Sequence, residues 1–349
     1  MQKILIINLA GIGDLLLSTP ALRALRKSYP EAEISMLVTN KVYDVVKNLS
    51  YINKIFLFKL GYGGIIPLPK IFGNLKTLLI LRGMHFDLAI NMRTLVSVKG
   101  ARKIKFILDF ISPEKTAGRD TAGRGYFFDI KIPEKDLGTK FEMEYDIDTV
   151  RALGAEVVDR TIDFKIEDQV IKKVDGLLEK SGLGPQDFLI GVYPGGMPSR
   201  QWPIQNFAYV MDRINKIIPS KFVIGLGKNE VDIAQKLIKQ TNAKIIDFTG
   251  ILNIEELGAL IKKCKLFIAN DTGPMHIAAI LNIPLVAIRG SSDFMRFDPR
   301  NISSNAVVLY KKVDCAPCEK VSCDDLKCMK AIEPQEVVEA AISMLNRNI

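Results

Sequence analysis

The feature that most constrains the fold is an alternation of short apolar segments and longer segments with helical spacing, which runs along the chain twice. In the first half we predict strands at residues 4–9, 34–38, 54–58 and 86–91, and a helix at 14–28. In the second half we predict strands at 189–193, 222–225, 245–247, 266–269 and 285–288, and helices at 207–218, 231–240, 254–264 and 275–281. This alternation is typical of parallel sheets covered by helices on both faces.

Two domains are expected because 349 residues, 48% of them hydrophobic, are too many for one core of ordinary size. The pattern predicts an α/β chain with two Rossmann-like, doubly wound parallel-sheet domains facing a cleft. We place the domains at residues 1–165 and 166–330, followed by a C-terminal segment, 331–349, with a helix at 334–345. Residues 110–140 are rich in Gly, Lys and Arg and predict long loops. Ligands of such sheets bind at the carboxyl ends of the strands.

The net charge of +9 is concentrated in the first domain. Residues 1–165 contain 25 Lys and Arg against 18 Asp and Glu, whereas the remainder contains 23 against 21. A basic domain is consistent with nucleic acid, anionic lipid, an acidic substrate or a merely solubilising surface. The chain has no zinc-finger spacing, no aromatic RNA-binding strand and no recognition-helix signature, which argues against nucleic acid as a partner.

The expected location is the cytoplasm. Lys59, Lys70, Lys76 and Arg82 interrupt the most hydrophobic region, so no stretch reaches the roughly 18 apolar residues that span a bilayer. The N-terminal apolar run is short and lacks a small-residue cleavage site, which favours a buried strand over a signal peptide. We therefore expect a protein that at most lies against the inner face of the cytoplasmic membrane.

The first segment with chemical potential, at residues 8–14, reads NLAGIGD and lies where the first predicted strand gives way to its helix. Gly11 and Gly13 allow close approach of the backbone, and Asp14 lies at the helix start. The segment is not a dinucleotide-binding fingerprint, because the third glycine would fall at Leu16, and it lacks the lysine of a P-loop. From the residues alone, Asp14 is either a functional carboxylate or an ordinary helix cap.

Two further segments follow predicted strands of the second domain. Residues 193–203 read YPGGMPSRQWP, in which an arginine fork beside a hydroxyl suits a phosphate, although a glycine turn with a solvated arginine is the alternative. Residues 269–276 read ANDTGPMH, and a helix starting there would present free amides to a diphosphate. Its histidine is either functional or a packing residue.

These three segments, in this order, resemble the motifs of glycosyltransferase family 9, the ADP-heptose:lipopolysaccharide heptosyltransferases. The resemblance rests on KILI and GIGD with TPALRAL (19–25), on PG (194–195) with RQWP (200–203), and on NDTGPMHIAA (270–279). It implies a GT-B fold with acceptor bound by the first domain and nucleotide sugar by the second. It further implies inverting transfer of heptose from ADP-heptose to a lipopolysaccharide inner-core acceptor, without metal or other cofactor.

The resemblance also gives Asp14 the role of catalytic base. Candidate donor contacts are Ser199, Arg200, Glu230, Asp271, Thr272, Gly273, Pro274 and His276. Candidate acceptor contacts are Gly11, Gly13, Arg93, Arg119 and Arg124, with Lys99, Arg102 and Lys103 as further basic candidates. A polyanionic acceptor would explain the basic first domain, and anionic head groups would hold the enzyme peripherally at the inner membrane surface.

Four of the five cysteines lie within fourteen residues, at Cys315, Cys318, Cys323 and Cys328. In a cytosolic protein this clustering suggests a structural metal or a redox pair before a disulfide framework. The second pair is not spaced as C-x-x-C and the loop is short for a zinc ribbon, so we assign the cluster no catalytic role. Cys264 is predicted to lie in the core.

Two other function classes remain open. One is a transferase of the same fold that uses another nucleotide sugar, and the other is a non-catalytic nucleotide-sugar-binding protein. An epimerase or dehydrogenase would share the sheet pattern but would need the dinucleotide fingerprint that Leu16 interrupts.

Overall fold

The computed structural model describes residues 2–60, 68–136 and 138–347. The chain divides into two compact units, Met1–Asp163 and Phe164–Ile349. The division thus falls between residues 163 and 164, against 165 and 166 from the sequence, and segment 331–349 is part of the second unit. No helix in the described ranges is both long and apolar enough to cross a membrane.

The first unit is built on a parallel sheet. Its strands are β1 (Lys3–Asn8), β2 (Glu33–Val38), β3 (Lys54–Leu57), β4 (Leu88–Asn91), β5 (Lys115–Thr121) and β6 (Ile130–Glu134). Its helices are α1 (Ile12–Ser28), α2 (Tyr43–Val46), α3 (Leu68–Gly83), α4 (Val98–Ile111) and α5 (Glu142–Arg151). In the described residues the sheet has the order β3-β2-β1-β4-β5-β6. The four predicted strands are confirmed, with ends shifted by one or two residues.

Strand β1 lies in the middle of this sheet because it can be buried on both faces. Residues 4–8 are buried, and β2 and β4 pair with β1 on its two sides. Alternation along the strand sends Leu5 and Ile7 into a core shared with α3 and α4. The crossovers from β3 to β4 and from β4 to β5 place α3 and α4 on one face of the sheet.

The prediction of long loops at residues 110–140 is wrong, because β5 and β6 lie there. Strand β5 reads KTAGRDT, a polar sequence without an apolar alternation. It forms a central strand because Arg119 meets three carboxylates inside the unit. Gly118 is required there, since a Cβ atom would lie 2.4 Å from the Phe128 ring.

The second unit repeats the architecture. Its strands are β7 (Leu189–Tyr193), β8 (Lys221–Ile224), β9 (Ile245–Asp247), β10 (Leu266–Asn270), β11 (Leu285–Ile288) and β12 (Ala306–Leu309). Its helices are α6 (Asp168–Lys180), α7 (Ile204–Ile217), α8 (Val231–Gln240), α9 (Ile254–Lys263), α10 (Gly273–Ile280), α11 (Lys327–Lys330) and α12 (Pro334–Asn346). The described strands lie in the order β12-β11-β10-β7-β8-β9, all parallel. Helix α12 packs against α7.

Both sheets confirm the predicted α/β class with doubly wound parallel sheets. The strand order reverses between β1 and β4 in the first unit, and between β10 and β7 in the second. Ligands of doubly wound sheets bind at the carboxyl ends of the strands at such reversals. The segment of residues 8–14 follows β1, and the segments of residues 193–203 and 269–276 follow β7 and β10. The fold therefore places each sequence motif at the reversal point of its own sheet.

Candidate functional site

Asp14 lies in the first turn of α1, directly after β1. Gly11 is the N-cap residue, and its N–H donates to Asp14 Oδ2 at 3.2 Å. The carboxylate therefore caps the helix, which is one of the two roles that the sequence left open for Asp14. Asp14 is only partly buried, so a cap bond and contact with a ligand are compatible. Its role as a base stays a prediction.

Arg93 lies in the loop after β4, the strand that neighbours β1. Its side chain is exposed, and Nη1 donates to the Leu9 carbonyl at 2.8 Å. This bond joins the loop after β4 to the short segment between β1 and α1, which contains Gly11 and leads directly to Gly13 in the first turn of α1. The structure thus brings Arg93, both glycines and Asp14 to one edge of the first sheet.

Arg119 occupies a different environment from the one expected. Its side chain is fully buried, and its guanidinium pairs with Glu142 at 2.6 Å, with Glu134 at 3.4 Å and closely with Asp146. Thr94 Oγ1 accepts a further bond at 3.0 Å. Such burial leaves no face for a substrate, so this placement does not support the expected direct contact with acceptor.

Arg124 is also engaged by the protein. Its Nη2 pairs closely with the exposed Asp136, and Nε donates to the Leu95 carbonyl. The side chain is partly exposed, so a role toward acceptor stays a prediction.

Asp146 is a buried carboxylate that sequence reasoning did not single out. Ser18 Oγ donates to Asp146 Oδ2 at 2.7 Å and also lies 2.9 Å from the carbonyl of Asp14. Burial raises the pKa of Asp146 to about 7, against the attraction of Arg119. Through Ser18, the Arg119 cluster thus fixes the helical turn that carries Asp14.

In the second unit, Asn270 ties the two motif loops together. It is the last residue of β10 and is buried; its Nδ2 donates to the carbonyls of Pro194 at 2.8 Å and Gly195 at 3.1 Å. Its Oδ1 accepts from the backbone N–H of the buried Trp202 at 3.2 Å. Where the loops meet, a Cβ atom on Gly196 would lie 2.5 Å from Thr272 Cγ2, so glycine is required.

Arg200 makes few hydrogen bonds with the rest of the protein. The bond found for it is from Nη2 to Glu319 Oε2, at 2.7 Å, and its Nε has no hydrogen-bond partner in the described residues. Its side chain is 12% exposed, and the unpartnered Nε atom is buried. Burial raises the pKa of Glu319, against the attraction of Arg200. A cation with unused donors at a sheet edge is suited to binding an anion.

Asp271 is buried and serves as a counter-charge. Its Oδ2 accepts from Arg289 Nε at 3.3 Å and from Ser292 Oγ. Burial alone would raise its pKa, but Arg289 and then Arg200 outweigh it and lower the pKa of Asp271 to about 2. Arg289, which sequence reasoning missed, follows β11 and also donates to the carbonyls of Asp293 and Phe294. Its position after a strand is the signal that could have found it.

His276 lies in the first full turn of α10 and is buried, with no hydrogen-bond partner at Nδ1 in the described residues. Burial lowers its pKa to about 4, although Asp271 opposes the shift. The imidazole is therefore neutral at physiological pH. The positive charge of Arg200 contributes to lowering the pKa of both His276 and Asp271.

The start of α10 supplies backbone donors. Thr272 is the N-cap, Gly273 the first helical residue and Pro274 the second. Proline has no N–H, so the amides of Thr272 and Gly273, rather than of Pro274, are the available donors. Thr272 Oγ1 lies 3.2 Å from the Asn270 carbonyl, which it can bond.

Glu230 and Ser199 form hydrogen bonds within the second unit. Glu230 Oε1 accepts from Gly196 N–H at 2.8 Å, and Oε2 accepts from Gly227 N–H and Tyr193 Oη, each at 2.9 Å. Glu230 therefore joins the loops after β7 and β8, and its expected contact with ribose stays a prediction. The buried Ser199 donates to the Lys320 carbonyl. This bond joins residues 198–200 to residues 315–328, which we call the cysteine segment.

The cysteines are free thiols. In the described part of the chain, no set of three or more His, Cys, Asp or Glu side chains is arranged to hold a metal ion. Cys264 is buried, as predicted. The cysteine segment instead contains Glu319, and no feature of the sequence indicated that this residue pairs with Arg200.

The sequence pattern of glycosyltransferase family 9 (heptosyltransferase) matches residues 78–329. The chain is 26% identical to lipooligosaccharide heptosyltransferase 2 of Campylobacter jejuni over 99% of both chains. Its fold is similar to that of a glycosyltransferase family 9 protein from Veillonella parvula, with a TM-score of 0.77, 23% identity and coverage of 99% and 97% of the two chains. It is also similar to ADP-heptose lipopolysaccharide heptosyltransferase II of E. coli, with a TM-score of 0.73, 20% identity and 99% of each chain covered. The two Rossmann-like units are thus those of a GT-B transferase, and the chain belongs to glycosyltransferase family 9, the heptosyltransferases.

Proposed function

We propose that this enzyme transfers heptose from ADP-heptose to a lipopolysaccharide inner-core acceptor, with inversion and without a metal ion. The donor and acceptor are suggested by the relatives, which include an ADP-heptose lipopolysaccharide heptosyltransferase and a lipooligosaccharide heptosyltransferase. The observation that carries the proposal is Arg200, a cation whose Nε has no partner in the described residues, in the loop that Asn270 ties to the end of β10, just before α10.

The second unit would hold the donor. A departing diphosphate gains negative charge, which the guanidinium of Arg200 and the amides of Thr272 and Gly273 can stabilise. Asp271 and Glu319 keep the cations in place before the donor arrives. A neutral His276 can accept or donate one hydrogen bond without adding charge.

The first unit would supply the base. Inversion by single displacement needs a group that removes the proton of the acceptor hydroxyl as the anomeric carbon is attacked. Asp14 is a partly exposed carboxylate at the sheet edge, held by Gly11 N–H through one oxygen. The exposed Arg93 beside it suits a phosphate or sugar carboxylate of the acceptor.

The test is Asp14→Asn, which can keep the cap bond to Gly11 N–H but cannot take the proton. We expect kcat with ADP-heptose to fall about a hundredfold or more, with ADP affinity nearly unchanged. The matched control is Asp44→Asn, which also neutralises a first-turn carboxylate, in α2 of the same unit. Near-normal turnover in Asp14→Asn would limit Asp14 to helix capping and place the base elsewhere.

The same assay separates the alternatives. Transfer from a different nucleotide sugar, with none from ADP-heptose, would identify another transferase of this fold. Tight ADP binding without turnover from any nucleotide sugar would identify a non-catalytic binding protein.

A further inference from the structure

Helices α3 and α4 expose large apolar side chains to solvent. On α3 the exposed residues include Phe72, with 66% of its surface accessible, and Leu79, with 54%; on α4 they include Phe106, with 61%. Ile71, Leu75, Ile80 and Val98 are exposed as well. We refer to the outer sides of these two helices as the α3–α4 face.

The exposed residues of α3 follow a helical period. At about 100° per residue, Ile71, Phe72, Leu75 and Leu79 lie on one stripe roughly 100° wide. The buried side of the helix is formed by Asn74, Leu78 and Leu81. This helix therefore has one apolar side against the sheet and a second apolar side facing solvent.

The outer side of α4 combines aromatic and cationic residues. The buried residues of α4 are Ala101, Ile104, Ile107, Leu108 and Ile111. The opposite side presents Val98, Lys99, Arg102, Lys103 and Phe106 to solvent. Apolar residues interspersed with Lys and Arg are typical of helices that lie in a membrane interface.

Helices α3 and α4 lie in contact with each other. Arg82, at the end of α3, donates through Nη1 to the Phe110 carbonyl of α4 at 2.7 Å, and its guanidinium lies 6.0 Å from the centre of the Phe110 ring. The Phe110 ring is 6.2 Å from that of Phe106. Exposed apolar residues concentrated on two adjoining helices mark an interaction site rather than scattered surface residues.

The charge of the face is almost wholly positive. The sequence of α3 contains no Asp or Glu, and that of α4 contains only Asp109, which pairs with Lys105 at 2.6 Å. Among the side chains that the structure describes, the cations of these two helices are Lys76, Arg82, Lys99, Arg102, Lys103 and Lys105. A second protein surface would need many carboxylates to match them, whereas an anionic lipid surface provides negative charge everywhere.

We propose that the α3–α4 face docks on the surface of an anionic lipid bilayer, with its apolar side chains inserted among the lipid chains. This inference rests on the proposed function, since a lipid-anchored acceptor lies at such a surface. Helix α4 begins just after the loop of Arg93, at the carboxyl edge that also carries Asp14. Docking through this face therefore brings the catalytic edge of the first unit to the membrane.

The experiment is flotation of the full chain with vesicles of phosphatidylcholine containing phosphatidylglycerol, and with vesicles of phosphatidylcholine alone. We expect binding to the anionic vesicles, weakened by salt and by Lys76→Glu. The triple variant Phe72→Ser, Leu79→Ser, Phe106→Ser should bind roughly tenfold less or weaker still, because each apolar side chain leaves the lipid. All three positions are exposed, so folding is preserved; an unchanged melting temperature checks this.

The control is Ile251→Ser, since Ile251 has the same 61% exposure as Phe106 but lies in the second unit. It should float like the wild type. The triple variant should also retain normal turnover on a soluble, lipid-free acceptor, so loss of vesicle binding and loss of the proposed activity are separable. Equal flotation of the triple variant and wild type, or no flotation of either, would overturn the proposal. So would a concentration-dependent dimer that the triple substitution dissolves, because a second copy would then cover the face.

Discussion

Each unit contains an arginine close to its candidate functional edge, and the two arginines differ in what surrounds them. Arg119 in the first unit is fully buried, and both of its terminal nitrogens bind carboxylates, three in all. Arg200 in the second unit is partly exposed and pairs with one carboxylate, that of Glu319. Nε of each lacks a partner in the described residues, so exposure and the number of partners distinguish them.

The difference shows how one arginine is held by three buried carboxylates, whereas the other has one carboxylate partner and is the one that our proposal assigns to a ligand. Three carboxylates around one guanidinium leave an excess of negative charge, which a buried cluster reduces by retaining a proton. Around Arg200 and Arg289 the carboxylates of Asp271 and Glu319 balance the cations one for one. An incoming diphosphate can therefore compete for Arg200, whereas Arg119 is already more than neutralised.

The largest expected effect comes from removing the buried arginine. Arg119→Met leaves three buried carboxylates without their cation, and breaking a buried ion pair in this way costs about 3–5 kcal/mol of unfolding free energy. Arg200→Met removes a partly exposed pair, so we expect a loss of about 1 kcal/mol. Chemical denaturation of both variants measures the contrast.

Arg124→Met is the control within the first unit, because Arg124 pairs with the exposed Asp136. It should lose at most about 1 kcal/mol, as surface ion pairs do. An Arg119→Met variant as stable as the wild type would show that the carboxylates are protonated without the arginine, and the structural role assigned to Arg119 would be lost.

The second prediction concerns ADP binding. Arg200→Ala should weaken ADP binding roughly 10- to 100-fold, because charged hydrogen bonds contribute about 1.5–3 kcal/mol each. Calorimetry in the presence of EDTA measures this, and we expect the wild type to bind ADP without magnesium. Strict dependence on a divalent ion would contradict the proposal that Arg200 and the α10 amides hold the diphosphate.

Glu319→Gln sharpens the same comparison. The amide keeps the size of the side chain and can still accept from Asp293 N–H, which Glu319 does at 2.6 Å. Without the negative charge, Arg200 is freer to bind the diphosphate, so ADP affinity should rise severalfold. A weaker affinity would instead mean that Glu319 is needed to orient Arg200.

The sequence predicted best those strands that read as short, mainly apolar runs between helices. Strands at residues 189–193, 245–247 and 285–288 have the predicted bounds, and the three motifs lie after β1, β7 and β10. It failed at β5, because a strand that carries Arg119 can be recognised only together with Glu134, Glu142 and Asp146, which follow in the chain. It also did not predict α3 and α4, whose outer sides are partly apolar.

The candidate site was predicted less completely for a related reason. A motif indicates which residues lie at a sheet edge, and the structure confirms those positions for Asp14, Arg200 and His276. Whether a polar side chain faces a ligand or another residue depends on partners distant in sequence. Glu230 and Ser199 are bound by such partners, and Glu319 becomes one only because the cysteine segment folds back to Arg200.

The most gradual expected effect is a pH dependence of stability with opposite signs in the two units. Burial raises the pKa of Asp146 to about 7 from 3.8, so the folded state holds a proton that the unfolded state has lost. Stability from this group is complete below pH 4 and is lost as the pH rises toward 7. Burial lowers the pKa of His276 to about 4 from 6.5, so its contribution is complete above pH 6.5 and is lost as the pH falls toward 4.

Unfolding measured between pH 4.5 and 7 for Asp146→Asn and His276→Gln tests both signs. Relative to the wild type, Asp146→Asn should gain stability as the pH rises and His276→Gln as it falls, by on the order of 1 kcal/mol per pH unit at most. The test is the slope, against pH, of the difference in unfolding free energy between each variant and the wild type. A lost hydrogen bond, such as that from Ser18 to Asp146, changes this difference by the same amount at every pH and so does not alter the slope. A curve for Asp146→Asn parallel to that of the wild type would mean that another carboxylate around Arg119, Glu142 or Glu134, holds the proton. The excess negative charge of the Arg119 cluster would then remain, but Asp146 would be ionised at neutral pH and held by Ser18 and Arg119 together.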